Sequence, residues 1–216
     1  MRNRFDQQLH HLDEQLTHMG ELCEIAISKV TQALKEGSAG QARIVVAEDE
    51  EIDQMEKEIE RLCLKLLLQQ QPVARDLRNI SAALKMISDM ERIGDQASDI
   101  ADITKYLEYE NVAQDIDLIG AMATGVSTMV RDSVVAYVEK DLELARKVMA
   151  SDDKIDAYFD EIRDKMIAYI KAEHGEQGNR IFDLIMVTKY LERIGDHATN
   201  IAEWVEFSIS AALHES

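Results

Sequence analysis

One proline and nine glycines in 216 residues leave little to interrupt regular backbone over long stretches. Aromatic residues are scarce, at 5%, while 31% of positions are charged. Combined with long periodicities of three and four, this composition reads as all-α. No run of about 18 apolar residues exists, so no transmembrane helix is expected. The opening residues turn polar and acidic at once, unlike a secretory signal. Only two cysteines occur, Cys23 and Cys63, far apart on apolar helix faces. They read as small buried hydrophobes in a reducing cytoplasm, not as a disulfide or a metal pair. Basic residues are also in deficit: 24 against 42 acids, a formal charge of −18. Such a surface repels phosphate backbones and anionic bilayers, which excludes nucleic acid and membrane insertion as expected partners. Cations and basic protein surfaces are its natural complements. Missing motifs narrow the choice further. There is no G-x-x-x-x-G-K-[ST], no G-x-G-x-x-G, no Glu-x-x-His pair of the di-iron bundles, and no Ser/His/Asp or Cys/His grouping.

What is present is a repeat. Glu91-Arg92-Ile93-Gly94-Asp95-Gln96-Ala97-Ser98-Asp99-Ile100-Ala101 recurs 101 residues later as Glu192-Arg193-Ile194-Gly195-Asp196-His197-Ala198-Thr199-Asn200-Ile201-Ala202, with eight of eleven positions identical. A second correspondence lies upstream, where Asp49-Glu50-Glu51-Ile52-Asp53 matches Asp152-Asp153-Lys154-Ile155-Asp156 with a shift of 103. Internal repetition at this scale predicts two related structural units. The pattern predicts helices over 3–35, to Gln70, from Pro72 to Leu107, and over 115–139, 141–172 and 177–212. The expected architecture is therefore two tandem, pseudo-symmetric antiparallel three-helix bundles built from six long helices, residues 1–109 and 110–216. Gly37-Ser38-Ala39-Gly40 and His174-Gly175 mark breaks, and the boundary is placed around Tyr109.

Each unit carries a D-x-x-x-D on its second helix and an E-x-x-x-D on its third. Positions four apart share a helix face. Leu77, Ile80, Leu84 and Ile87 set a stripe that, continued, reaches Glu91 and Gly94/Asp95, so the acids are expected to extend the buried face. Antiparallel neighbours then bring Asp49 and Asp53 toward Glu91 and Asp95, and Asp152 and Asp156 toward Glu192 and Asp196. Carboxylates that close need a cation or shared protons. An oxygen-only donor set suits a divalent metal such as Mg²⁺, Mn²⁺ or Fe, with Zn²⁺ also acceptable. The plain alternative is solvated acids paired with Arg92 and Arg193. His10, His11, His18, His174 and His214 read as surface residues, and His197 points about 100° away from Asp196.

Gln69-Gln70-Gln71-Pro72-Val73-Ala74-Arg75-Asp76-Leu77-Arg78, followed by Asp89-Met90-Glu91-Arg92-Ile93-Gly94-Asp95, closely resembles the PhoU family, accessory proteins of the phosphate-specific transport system. Tyr190-Leu191-Glu192-Arg193-Ile194-Gly195-Asp196-His197-Ala198 matches the same family again. The resemblance implies a cytoplasmic, non-enzymatic, usually homodimeric negative regulator of the phosphate-starvation response that also restrains phosphate uptake. Its implied partners are the ATPase subunit of the phosphate ABC transporter and a phosphate-sensing histidine kinase. Some family members bind iron or zinc clusters through E(D)-x-x-x-D motifs. Carried over, that assigns Asp49, Asp53, Glu91, Asp95 and Asp99 to one metal site and Asp152, Asp156, Glu192 and Asp196 to another. Asn200 replaces the acid matching Asp99, which puts the second site's ion count in doubt. The competing function class is a carboxylate-bridged metalloenzyme, a phosphohydrolase or oxidase, whose open metal positions would activate water or oxygen.

Overall fold

Apolar side chains recurring every three or four residues dictate long helices that must share a core. A computed structural model describes residues 2–70, 73–107, 113–172 and 177–210. These form α1 (Arg2–Glu36), α2 (Ala39–Gln70), α3 (Ala74–Thr104), α4 (Ala113–Glu139), α5 (Leu142–Ala172) and α6 (Gly178–Ser210). On α1, Leu12, Leu16, Met19, Cys23, Ile27, Val30 and Leu34 form the buried stripe. It packs against α2 and α3, and α4 packs against α5 and α6. The halves join through α3 on α6 and α1 on α4, so one apolar core runs through both bundles. Gly20 permits close approach at the α1–α4 seam, since a Cβ there would stand 3.0 Å from Val134 Cγ2. Both cysteines are buried and free, with thiols pushed up to about 12, chiefly by burial. No helix among the described residues is long and apolar enough to cross a membrane.

The first turn of each half uses one device. Gly37 takes φ 65°, which lets the Ser38 N–H donate to Ala33 O at 3.0 Å and satisfy a helix-end carbonyl. Ser38 Oγ then accepts from Gln41 N at 3.3 Å, capping α2. In the second half Lys140 occupies the glycine's place at φ 58°. Asp141 N donates to Ala136 O at 3.0 Å, and Asp141 Oδ1 caps α5 through Leu144 N at 3.0 Å. A lysine in this left-handed conformation is strained. Its buried amine lies 3.7 Å from the centroid of the Tyr137 ring, a contact that offsets part of the cost.

Two expectations need correction. α3 ends at Thr104, not Leu107, as Lys105 and Tyr106 close the helix through Ala101 O and Ile103 O. Leu77 is exposed, and the stripe of α3 runs through Ile80, Ala83, Ile87, Met90, Gly94 and Ala97. It shares Ile80 and Ile87 with the expected stripe but is centred to one side of Leu77 and Leu84, toward Ala83 and Met90. The acids therefore flank the buried face instead of extending it. Pro72, Tyr109 and His174 lie outside the described residues.

Candidate metal centre

In the first half the acids converge in the groove between α2 and α3. One carboxylate oxygen from each of Asp53, Glu91 and Asp95 lies within 4.8 Å of the others. Asp53 and Glu91 are half-buried and Asp95 is exposed at the rim. Asp49 stands one turn before Asp53, deeper in the groove, where its Oδ1 is shielded from water without a hydrogen-bond partner. Its carboxyl is pushed up to about 6, first by burial and then by Asp95 and Asp53; the Ser98 hydroxyl pulls the other way. Burial, then Asp95, Glu56 and Asp53, also raises Glu91. Asp99 is raised by burial, Asp95 and Asp102, and eased by Arg193 from α6. Gly94 is what lets α2 approach. A Cβ there would stand 2.8 Å from Asp49 Oδ1 and 3.0 Å from Ile52 Cδ1.

The second half repeats the placement with different electrostatics. Asp152 is raised by burial, then Asp196 and Asp156, and eased by the Thr199 hydroxyl, the counterpart of Ser98. Asp196 is raised by burial and Glu192, against Lys189. Here the Lys189 amine pairs directly with Glu192, one turn along α6. Among the described residues, the oxygens of Asp156, Glu192 and Asp196 do not gather as their counterparts do. Gly195 is looser too, with the nearest atom to a Cβ being Ile155 Cγ2 at 3.3 Å.

Between the two clusters, Asp89 Oδ1 accepts from Asn200 Nδ2 at 3.1 Å and lies 2.9 Å from His197 Nδ1. Asn200 is thus turned to the α3–α6 seam, not toward the second cluster. His197 indeed points away from Asp196, but into this seam. His10, His11 and His18 are exposed as expected.

Of the nine expected ligands, Asp53, Glu91 and Asp95 are brought together, with Asp49 and Asp99 as charged neighbours. Asp152, Asp156, Glu192 and Asp196 interact electrostatically without forming an equivalent triad. The chemistry fits a divalent ion in the first half, where three oxygens converge beside an unpartnered, shielded fourth. The second half fits less well, because a lysine already stands against one of its acids. The Lys189–Glu192 pairing was readable from its spacing of three; the Asp89–His197 contact, spanning 108 positions, was not.

Comparison with known proteins carries the same two-part signature. A family model described as PhoU domain matches residues 16–104 and again 119–205. A Clostridium acetobutylicum protein named phosphate-specific transport system accessory protein PhoU homolog is 37% identical over 203 residues, covering 94% of this chain and 92% of that one. A Caulobacter vibrioides protein of the same name is 33% identical over 210 residues, covering 95% and 90%. The crystal structure of PhoU from Pseudomonas aeruginosa superposes with a TM-score of 0.88 at 32% identity, over 96% of this chain and all of that one. The phosphate transport system regulatory protein PhoU from Streptococcus pneumoniae gives 0.91 at 26% identity, over 98% of this chain.

Proposed function

The chain belongs to the PhoU family, and from that premise we propose that it is a non-enzymatic accessory regulator of phosphate transport. In this reading it works in the cytoplasm as a homodimer. It links the ATPase subunit of a phosphate ABC transporter to a phosphate-sensing histidine kinase, restraining uptake and the starvation response when phosphate is plentiful. The observation that carries the reading is the match of both halves to the family, beside relatives named as transport accessory proteins over more than nine-tenths of this chain. Residues 1–109 and 110–216 are then two repeats of one unit. Exposed Leu64, Leu68, Val73 and Leu77 at one helical hairpin, with Ile167, Ile170 and Phe182 at the other, offer apolar surface for such contacts.

Within that role we assign a divalent ion to Asp53, Glu91 and Asp95, supported by Asp49 and Asp99. The ion would neutralise like charges and tie α2 to α3. The test is a strain lacking its own accessory protein, supplied with this chain in high phosphate. Repression of a starvation reporter, together with recovery of the transporter ATPase subunit and the kinase on the tagged chain, is the expected result. Full derepression with neither partner retained would overturn the proposal.

A further inference from the structure

The two carboxylate clusters differ by a coordinated exchange of neighbours. One turn before Glu91 stands Ser88, whose hydroxyl donates to Glu56 at 3.3 Å. One turn before Glu192 stands Lys189, and the residue matching Glu56 is Phe159. The Lys189 amine contacts Glu192 and lies 5.4 Å from the centroid of the Phe159 ring. An acid has thus been replaced by an aromatic face, and a hydroxyl by an ammonium that this face and a carboxylate both attract. The first cluster keeps five acids, Asp49, Asp53, Glu91, Asp95 and Asp99. Lys57, one turn on from Asp53 along α2, stands off from it at 4.0 Å. The second keeps four acids and gains a cation in contact, while Asn200 turns away to Asp89.

We infer that Lys189 is a tethered counter-ion that takes the place of a metal in the second half, so that divalent ions bind tightly at the first cluster alone. The inference rests on the metal reading above and goes beyond it by making the two sites unequal for a stated reason. A divalent ion entering the second cluster must first displace the ammonium and then face one carboxylate fewer. At the first cluster it meets three converging oxygens and displaces no lysine in direct contact.

The test uses the full chain stripped of metal, with Mn²⁺ as the probe, read by elemental analysis after gel filtration and by the Mn²⁺ electron paramagnetic resonance signal. Wild type should show tight binding that Glu91→Gln with Asp95→Asn abolishes and Asp156→Asn with Asp196→Asn leaves unchanged. Lys189→Ser should add at least one tightly bound ion per chain. Ser88→Lys should weaken the first site tenfold or more. Circular dichroism confirms that each variant is folded. Equal losses from the two double variants, or no gain in Lys189→Ser, would overturn the inference while leaving metal binding intact. No Mn²⁺ bound by wild type or by Lys189→Ser would overturn both.

Discussion

Glu91 and Glu192 occupy matching turns of α3 and α6, yet one gathers with Asp95 of its own helix and Asp53 across the groove while the other holds a lysine. The repeated eleven-residue run fixes where each carboxylate projects. Residues just outside it decide what neutralises the charge. The same division recurs beside the clusters. Arg146 donates through Nε and Nη2 to Glu206 Oε1 at 3.0 and 2.8 Å, and the Glu206 side chain is only 4% exposed. The matching residues of the first half, Arg43 and Lys105, are both cations and cannot pair. One backbone plan therefore carries two electrostatic solutions, and substitutions made in pairs across the repeat can separate them.

The largest contrast should come from that partly buried pair. Removing a principal partner of a buried carboxylate leaves its charge poorly solvated. Because Arg146 is half exposed, water recovers part of the loss, and Arg146→Ala should cost about 2–3 kcal/mol. Arg43→Ala, at an exposed position, should stay within about 0.5 kcal/mol. Urea unfolding at neutral pH measures both, and equal midpoints would mean that the pair adds nothing to the second half.

The glycines of the repeat come next. At Gly94 a methyl group must push aside Asp49 and the buried Ile52. Overpacking of about 1–3 kcal/mol should outweigh the helix-propensity gain of about 1 kcal/mol. At Gly195 the nearest atom is 3.3 Å away, and the two effects should nearly cancel. Thermal unfolding of Gly94→Ala beside Gly195→Ala checks this. A loss at both positions would mean that the second groove is as tight as the first. Gly37 and Lys140 form a third pair. Gly37→Ala should destabilise by about 1 kcal/mol through its left-handed backbone. Lys140→Gly should gain somewhat less, since it gives up the contact with the Tyr137 ring.

Most of the fold was legible because helix length and pairing follow from periodicity and breaks: Gly37-Ser38 ends α1, and the repeat forces a second bundle like the first. The facing of α3 is less legible, because Leu77, apolar and in phase, lies on an exposed first turn where Ile80 and Ala83 already fill the core. Ile80 and Ile87 do face the core, but Leu77 and Leu84 draw the inferred stripe to one side, and this places Glu91 and Asp95 in the core instead of at its edge. The acids themselves were found because they recur in register. Lys189 stands three residues before Glu192. A spacing of three names a possible contact, but only packing places Phe159 under the amine. Asp89 could not be matched with His197 at all before α3 was seen lying on α6.

A last contrast concerns protons. In the unfolded chain Asp49 titrates near its ordinary 3.8; in the folded chain it is pushed up to about 6. The folded state therefore holds this proton more tightly, and its stabilising contribution is complete below about pH 4 and lost as pH rises through about 6. Metal-free protein at pH 7 carries the penalty of an ionised, crowded carboxylate. Asp49 is partly exposed, so solvent screening reduces the effect to about 1 kcal/mol. Asp49→Asn should accordingly raise stability at pH 7 by about that much and shrink the gain seen on acidifying from pH 7 to pH 5. Asp152 is shifted in the same direction, but Lys189 has already relieved its cluster, so Asp152→Asn should flatten the pH dependence less. Melting curves of the three proteins at pH 5, 6 and 7, in chelator, decide the matter. If both variants flatten the dependence equally, the lysine does not relieve the second cluster; if neither does, the carboxylates are solvated and the grooves store no charge.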